Sequence, residues 1–253
     1  MADGRIITVF ATKGGCGKTT VASNLVVTLC ARGTRRVCLV DLDLEHGDDA
    51  CVLGLGAERS LRDAVEWAGE LTPDRVASLM TPFRPNLDCL PAPSGPGDAA
   101  HIPHTLVEEL LSLLPALYDF IVVDTPAHFS RVVLAALDAA DDQVLVTTPE
   151  RPALRNLRRT LDALDLLYDA STRSVVLNKS DPQAGLARAD VDRLLRTPIA
   201  MCLPNCNDVP ASINRAEPLA FAYPNHPVSQ AIRQLAEVLA SSDGRYSRGT
   251  PSG

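Results

Sequence analysis

The stretch that decides the fold reads IITVFATKGGCGKTT and spans residues 6–20. Its first five residues form a mostly apolar run that predicts a buried strand, and the segment after it, VASNLVVTLCARG, has the spacing of a helix. Between them lies the glycine-rich run KGGCGKTT, and a strand, a glycine-rich turn and a helix together are the context of a phosphate-binding loop. Glycines let backbone N–H groups close around an anion, and the helix N-terminus favours negative charge there. The stretch therefore predicts a nucleotide phosphate site.

The residue types of this run fit separate roles in binding a nucleotide. Lys18 is placed to reach the β- and γ-phosphates, and the Thr19 hydroxyl is placed to ligate Mg²⁺. The general consensus has glycine where this chain has Thr12, and a second lysine, Lys13, follows at the front edge of the loop. The residues predicted to hold the nucleotide phosphates are Gly14, Gly15, Cys16, Gly17, Lys18, Thr19 and Thr20.

Apolar runs alternate with helically spaced segments along the rest of the chain. This alternation predicts an α/β fold with a doubly wound, mostly parallel sheet and helices on both faces. We expect one domain over residues 1–240 and a disordered polar tail over residues 241–253. The further predicted strands are 36–44, 86–91, 119–126, 143–148, 174–178 and 199–203, and the predicted helices are 60–67, 72–81, 105–117, 130–140, 151–169, 187–195 and 228–240.

The composition limits the class of protein. The chain has 253 residues, of which 46% are apolar, and this supports a sizeable core. Its net charge of −7 argues against general nucleic-acid binding, which needs clustered Lys and Arg. Seven cysteines are scattered, mostly within apolar runs, and no signal peptide precedes them. No apolar run approaches the roughly 18 residues that a membrane span needs. We therefore expect a cytoplasmic protein with reduced thiols.

Two of the predicted strands end in acids. Asp124 closes the strand in DFIVVDTP, which is the pattern of a Walker B acid that holds Mg²⁺ through water. Asp41 and Asp43 alternate in the strand predicted over residues 36–44, so we predict that they share one face of it. A buried strand can also end in aspartate for capping alone, and this alternative stays open for Asp124.

These residues resemble those of a known family. KGGCGKTT is similar to the deviant phosphate loop of the MinD/ParA ATPases, which begins with a signature lysine, and DTPA at residues 124–127 resembles their switch II segment. DLDLEHGDDA at residues 41–50 is similar to the CpaE/TadZ branch of pilus-assembly and localisation ATPases. The resemblance extends from about Arg5 to about Leu239. It implies a P-loop ATPase that uses ATP and Mg²⁺, and whose ATP-bound homodimer is a positioning switch released by slow hydrolysis.

The resemblance also implies roles for individual side chains. In the family the second acid of the pair at residues 41–43 lies near the attacking water, and the first supports the metal site. The signature lysine crosses the dimer interface and touches the nucleotide of the partner, where a cation would neutralise developing charge. A solvated lysine is the alternative reading of Lys13. The implied catalytic residues are Lys13, Lys18 and Asp43, and the implied metal residues are Thr19, Asp41 and Asp124.

Two later segments resemble the part of the family that binds the base. Asn178 follows the predicted strand 174–178, and the family has an adenine-reading asparagine at this place. An amide suits this role because it can donate to and accept from one base edge. An ordinary turn asparagine is the alternative. The segment that contains Pro204 and Asn205 resembles the C-terminal loop beside the adenine, so we expect both residues to line that pocket.

Other functions remain open from the sequence. Arg151, Arg155, Arg158 and Arg159 fall at helical spacing and would suit DNA, as in ParA-type partition proteins, or an acidic partner, although a solvated helix face is the alternative. A nucleotide-binding scaffold without hydrolysis is a second rival. A cluster-loading electron-transfer ATPase is a third, but the chain has no CxxC.

The expected partners follow from the same resemblance. We expect a homodimer and an assembly or localisation protein that recruits it, with DNA as the less favoured partner. MinD proteins end in a basic amphipathic helix that binds membranes. The corresponding predicted helix, residues 228–240, carries both Arg233 and Glu237. We therefore predict a packing helix rather than a direct membrane anchor.

Overall fold

The computed structural model describes residues 4–56, 58–95, 97–169, 172–181, 186 and 188–241. The predicted tail of residues 241–253 lies outside these residues, except for Ser241. The strands are β1 (Arg5–Phe10), β2 (Val37–Asp41), β3 (Thr81–Arg84), β4 (Leu87–Leu90), β5 (Phe120–Asp124), β6 (Asp142–Thr147), β7 (Arg173–Ser180) and β8 (Ile199–Pro204).

All of these strands belong to one sheet. Their order is β3-β4-β2-β5-β1-β6-β7-β8, and every neighbouring pair is parallel except β3 and β4. The central strands β2, β5 and β6 are buried along their whole length, as apolar parallel strands covered on both faces should be. The predicted doubly wound, mostly parallel α/β fold is confirmed.

Helices cover both faces of the sheet. Helices α1 and α10 pack together on one face, and α4 packs with α5 on the other. No helix among the described residues is long and apolar enough to cross a membrane. The helices are α1 (Lys18–Leu29), α2 (Asp49–Leu53), α3 (Pro73–Leu79), α4 (His104–Leu117), α5 (Arg131–Ala139), α6 (Arg151–Leu164), α7 (Arg188–Leu195), α8 (Asp208–Asn214), α9 (Leu219–Ala222) and α10 (Pro227–Ser241), with 3₁₀ segments at Ala31–Gly33, Leu61–Trp67 and Asp98–His101.

Several predicted elements extended beyond those in the structure. The strand predicted over residues 36–44 ends at Asp41, the strand predicted over residues 119–126 ends at Asp124, and the helix predicted over residues 151–169 ends at Leu164. The guanidinium of Arg173 donates to the carbonyl oxygens of Leu164 and Tyr168, both at 2.8 Å. A side chain from β7 therefore contacts the chain where the helix ends.

Some elements were not predicted. The edge strand β3 contains a proline and pairs antiparallel with β4 through an irregular register. Proline is compatible with an edge strand because it removes only one ladder donor. The short helices α2, α8 and α9 were also missed. Each has fewer than eight residues, which is too few for a helical repeat to stand out.

Candidate functional site

The loop between β1 and α1 has the backbone that a phosphate site needs. Gly15 and Gly17 have φ values of +78° and +91°, in the left-handed region that favours glycine. A Cβ atom added at Gly14 or Gly15 would meet no atom within 4 Å, so the space in front of both residues is open. A Cβ at Gly17 would lie 2.3 Å from Nδ2 of Asn178. The loop is therefore open toward a ligand and closed toward β7, and it fits a bound phosphate chain.

All three lysines of the sequence lie at this loop. Lys18 is the first residue of α1 and is only 8% exposed. Lys179 is exposed, and its Nζ donates to the carbonyl oxygen of Gly15 at 2.8 Å. Lys13 is exposed at the front edge of the loop. Lys18 is thus buried, Lys179 supports the loop by a hydrogen bond, and Lys13 is exposed.

The metal side of the site lies at the carboxyl ends of β2 and β5. Asp41 and Asp124 are direct neighbours in the parallel register of these strands, and both are 2% exposed. The Thr19 hydroxyl donates to Oδ2 of Asp124 at 2.6 Å, and the Thr125 N–H donates to Oδ1 at 3.1 Å. Burial raises the pKa of Asp124 to about 6, although the Thr19 hydrogen bond and the charge of Lys18 oppose this shift.

Asp41 and Asp43 do not share a strand face, so that part of the prediction was wrong. Strand β2 ends at Asp41, and Asp43 lies in the following turn. Oδ1 of Asp41 accepts the N–H of Asp43 at 3.0 Å, a side-chain-to-backbone bond of the kind that forms turns. Asp43 is half-buried, and its charge is one of the influences that raise the pKa of Asp124. The predicted roles of Asp41 and Asp43 stay predictions.

A third acid, Asp49, joins this edge and was missed. It begins α2, is 0% exposed, and its carboxylate can approach those of Asp41 and Asp124 with all three ligand oxygens within 4.8 Å of one another. We call Asp41, Asp49 and Asp124 the acid edge. Three carboxylates and the nearby Thr19 hydroxyl form an all-oxygen donor set, which fits Mg²⁺. The available sequence signal was the length of the acidic run, residues 41–49, but it could not show which acid points inward.

On its other side the loop contacts Asn178 and Lys179 of β7. These two residues, with Pro204 and Asn205 beside them at the end of β8, are called the base edge. Asn178 Nδ2 donates to the carbonyl oxygen of Cys16 at 2.8 Å, and its Oδ1 accepts the N–H of Lys179 at 2.9 Å. Pro204 pairs with Ser180, whose carbonyl oxygen accepts the N–H of Asn205 at 3.1 Å. The structure therefore gathers the three residues predicted to bind adenine, and it shows that Asn178 also holds the phosphate loop.

Two polar residues after β6 were also missed. Thr148 hydrogen-bonds the side chains of Cys16 and Glu150, and each bond acts to lower the pKa of the partner. Burial raises the pKa of the Cys16 thiol despite the Thr148 bond, whereas that bond is the main reason why the pKa of Glu150 is lowered. Lys13 and Lys179 also lower the pKa of Glu150. The sequence feature that could have identified Thr148 and Glu150 is their position directly after a strand of the sheet, at the edge where the loop lies.

The predicted basic stripe on α6 is smaller than the sequence indicated. Arg158 is half-buried and pairs with Asp162 and with Asp165, the latter at 3.6 Å. It also donates to the carbonyl oxygen of Leu195. Its charge is therefore used within the protein. The exposed arginines of the stripe are Arg151, Arg155 and Arg159.

A surface cavity of about 1170 Å³ lies elsewhere in the molecule. Its walls come from α1, the β3–β4 hairpin and α10, and they include Phe221 and Arg84, whose guanidinium lies 4.2 Å from the ring centroid. The cavity contains none of the residues of the acid edge, the base edge or the phosphate loop. It is therefore separate from the candidate site.

Comparison with known proteins agrees with this geometry. The family model described as CobQ/CobB/MinD/ParA nucleotide binding domain matches residues 7–219. The chain is 30% identical over 245 residues to the septum site-determining protein MinD of Synechocystis sp.. That alignment covers 94% of this chain and 90% of the relative.

Solved structures share the fold. The crystal structure of a ParA family ATPase from Chlorobium tepidum superposes with a TM-score of 0.85 at 24% identity, and it covers 92% of this chain and 98% of that one. MinD of Pyrococcus horikoshii, solved as a complex with Mg-ADP, gives a TM-score of 0.81 at 25% identity, and the match covers 97% of this chain and 99% of that one.

Proposed function

Because the chain belongs to the CobQ/CobB/MinD/ParA family of P-loop nucleotide-binding ATPases, we propose that it hydrolyses ATP slowly and acts as a positioning switch. In this proposal ATP closes a homodimer, hydrolysis opens it, and the closed form engages an assembly or localisation protein. Within the family we favour a CpaE/TadZ-like role because of the DLDLEHGDDA segment at residues 41–50. The 30% identity to a septum site-determining protein supports a positioning role at a coarser level.

The observation that carries the proposal is the contact between the phosphate loop and the metal side. Thr19, from the loop, donates to Asp124, from the end of β5, at 2.6 Å. Lys18 precedes Thr19 and is nearly buried, so its charge acts in a site with little water. Mg²⁺, when bound here, would neutralise charge on the phosphates. The chain itself holds the phosphate chain with loop N–H groups and Lys18, and it orients the metal residues by these hydrogen bonds.

Lys13 supports the dimeric form of the proposal. It is exposed, although it belongs to the same short loop as the buried Lys18. An exposed lysine at the front edge of a phosphate loop is suited to reach the nucleotide of a second subunit. A cation at that place would stabilise charge that develops on the transferred phosphoryl group. Asp43, half-buried in the turn after β2, is suited to orient the attacking water.

The Lys13→Ala variant tests this mechanism. We expect phosphate release to fall by roughly 100-fold or more, because trans-acting cations contribute at least that much in comparable phosphoryl transfers. ATP binding should change by less than about threefold. The matched control is Lys179→Ala, which removes the other exposed lysine of the site. Light scattering of both variants with a non-hydrolysable ATP analogue should show dimers for the control and monomers for Lys13→Ala.

The small number of lysines offers a second measurement. Amine-reactive labelling followed by mass spectrometry reports on three lysine side chains and the N-terminal amine only. ATP should protect Lys13 in a manner that depends on protein concentration, because protection requires a second subunit. Protection that is independent of protein concentration would contradict the shared site.

A nucleotide-binding scaffold without hydrolysis remains the rival within the family. Asp43→Ala and Lys18→Ala separate the two functions. The ATPase proposal expects Asp43→Ala to bind ATP and to release little phosphate, and Lys18→Ala to lose binding. Unchanged phosphate release in Asp43→Ala, together with lost binding in Lys18→Ala, would favour the scaffold.

DNA partition is the second candidate function, and the exposed face of α6 favours it. Arg151, Arg155 and Arg159 are exposed there, but Arg158 is paired internally and the net charge of the chain is −7. Three phosphate contacts predict weak, strongly salt-dependent binding. ATP-dependent retention on nonspecific DNA, lost in an Arg155→Ala and Arg159→Ala double variant, would establish this function.

A further inference from the structure

We propose that Asp49, with Asp41 and Asp124, forms a divalent-cation site that is occupied before any nucleotide binds. The proposal goes beyond the ATPase function and depends on it only in placing metal chemistry at the acid edge. It rests on a third buried carboxylate, that of Asp49, which the sequence did not predict as a metal residue. The expected ligand is a hard cation such as Mg²⁺ or Mn²⁺.

The backbone fixes Asp49 beside the other two acids. Its N–H donates to Oδ2 of Asp41 at 3.2 Å, so the start of α2 is attached to the end of β2. The turn between them packs closely on the same carboxylate, because a Cβ atom added at Gly47 would lie 2.3 Å from Oδ2 of Asp41. The side chain of Asp49 is 0% exposed.

The carboxylate of Asp49 has no partner. Both of its oxygens are buried without a hydrogen bond, and they account for two of the four side-chain atoms in this condition among the described residues. The neighbours differ: Asp41 accepts two backbone N–H groups, and Asp124 accepts the Thr19 hydroxyl and the Thr125 N–H. A buried carboxylate without a partner is strongly unfavourable, so this position points to a ligand that supplies one.

The surrounding charges indicate the sign of that ligand. Oxygens of the Asp41 and Asp124 carboxylates lie within 4.8 Å of an oxygen of Asp49, and all three side chains are buried. Like charges held this close together are stabilised by a positive charge between them.

The donor set indicates a hard divalent cation. The potential ligand atoms of Asp41, Asp49 and Asp124 are carboxylate oxygens within 4.8 Å of one another. This cluster contains no histidine or cysteine, so it favours Mg²⁺, Mn²⁺ or Ca²⁺ over zinc. Three carboxylates also provide enough charge to bind a cation without help from nucleotide phosphates, which Mg²⁺ sites in nucleotide enzymes usually need.

Titration of the nucleotide-free protein with Mn²⁺, followed by the electron paramagnetic resonance signal of free Mn²⁺, tests the proposal. We expect one bound Mn²⁺ per chain with a dissociation constant below about 1 mM, displaced by Mg²⁺. Asp49→Asn should weaken binding by at least about tenfold. Asp48→Asn is the matched control, because this neighbouring acid is exposed, and it should bind as the parent does.

The outcomes separate this proposal from the ATPase function. Wild-type protein that retains no Mn²⁺ up to about 1 mM overturns the proposal, whether or not it hydrolyses ATP. Equal Mn²⁺ binding by wild type and folded Asp49→Asn also overturns it. If Asp49→Asn does not fold, the wild-type titration alone decides. Mn²⁺ binding without any ATP hydrolysis would support the cation site and contradict the proposed function.

Discussion

The acid edge and the base edge contact the same phosphate loop from opposite sides, but only one of them is complete by itself. At the base edge, Asn178 and Lys179 already donate to the loop carbonyl oxygens of Cys16 and Gly15, both at 2.8 Å. At the acid edge, three carboxylates are buried together, and Asp49 has no hydrogen-bond partner for its side chain.

This difference shows how the two edges contribute to stability and to function. The base edge supports the loop by hydrogen bonds between neutral groups and one exposed cation, so its shape does not depend on a ligand. The acid edge holds like charges close together, which costs free energy until a cation compensates them. We therefore expect the base edge to set the stability of the loop, and the acid edge to make stability depend on pH and metal.

The largest effect is expected where the base edge contacts the loop. Gly17→Ala introduces a Cβ that would lie 2.3 Å from Nδ2 of Asn178, at a residue whose φ is +91°. It should lower the free energy of unfolding by about 3 kcal/mol, since strain at such a residue alone costs roughly 1–3 kcal/mol. Urea denaturation measures this loss, and nucleotide affinity should fall with it.

Two other glycines of the loop serve as controls for this prediction. Gly14→Ala meets open space and has no positive φ, so it should change stability by less than about 0.5 kcal/mol. Gly15→Ala also meets open space, but its φ is +78°, so only the backbone cost of about 1–2 kcal/mol remains. Equal effects at Gly14 and Gly17 would show that the contact with Asn178 does not hold the loop.

A smaller effect is expected from pH at the acid edge. Burial raises the pKa of Asp124 to about 6, and burial with neighbouring carboxylates raises those of Asp41 and Asp49 well above the usual range. A folded-state pKa above that of the unfolded chain means that the folded state binds more protons between the two values. The metal-free protein should therefore lose stability as pH rises above about 4, and the contribution of Asp124 to this loss should extend through about pH 6.

Asp49→Asn isolates this effect from the other acids of the chain. Relative to wild type, its free energy of unfolding should rise as the pH increases above about 4, because the raised pKa of Asp49 destabilises only the wild-type folded state there. Chemical denaturation in a chelating buffer measures the difference, and Asp48→Asn, at an exposed position, is the control. A parallel pH dependence of wild type and Asp49→Asn would mean that the pKa of Asp49 is the same in the folded and unfolded states.

The smallest effect is expected from Lys179→Ala at the base edge. This variant removes one exposed hydrogen bond to the carbonyl oxygen of Gly15, so it should cost about 0.5–1 kcal/mol in unfolding free energy. Arg159→Ala, on the exposed face of α6, is a control for loss of a surface charge. A loss no larger than in the control would show that the hydrogen bond from Lys179 does not support the loop.

The sequence predicted the elements around the candidate site better than the arrangement of the side chains within it. The phosphate loop and the strand that ends at Asp124 were predictable because an apolar run, glycines and an acid stand next to one another in sequence. The shared face of Asp41 and Asp43 was wrong because the Asp41 carboxylate captures the N–H groups of Asp43 and Asp49, which ends the strand. Side-chain capture of a backbone group leaves no periodic signal.

Similar reasons explain the other misses. The helix predicted to reach residue 169 ends at Leu164, whose carbonyl oxygen accepts a hydrogen bond from Arg173 of β7, and Arg158 leaves the basic stripe because Asp162 and Asp165 are within its reach. Both outcomes depend on which charged side chain is nearest in space. Helical spacing indicates that residues share a face, but it does not show which of them forms an ion pair.

The sequence by itself determined a parallel α/β sheet, a phosphate loop and a set of acids, because apolar periodicity and glycine-rich turns are local properties of the chain. Only the tertiary structure decided that Asp49 is buried beside Asp41 and Asp124, and that Asn178 and Lys179 support the loop. These contacts join segments that are up to 164 residues apart. Burial and electrostatic coupling depend on distance in space, and folding alone sets that distance.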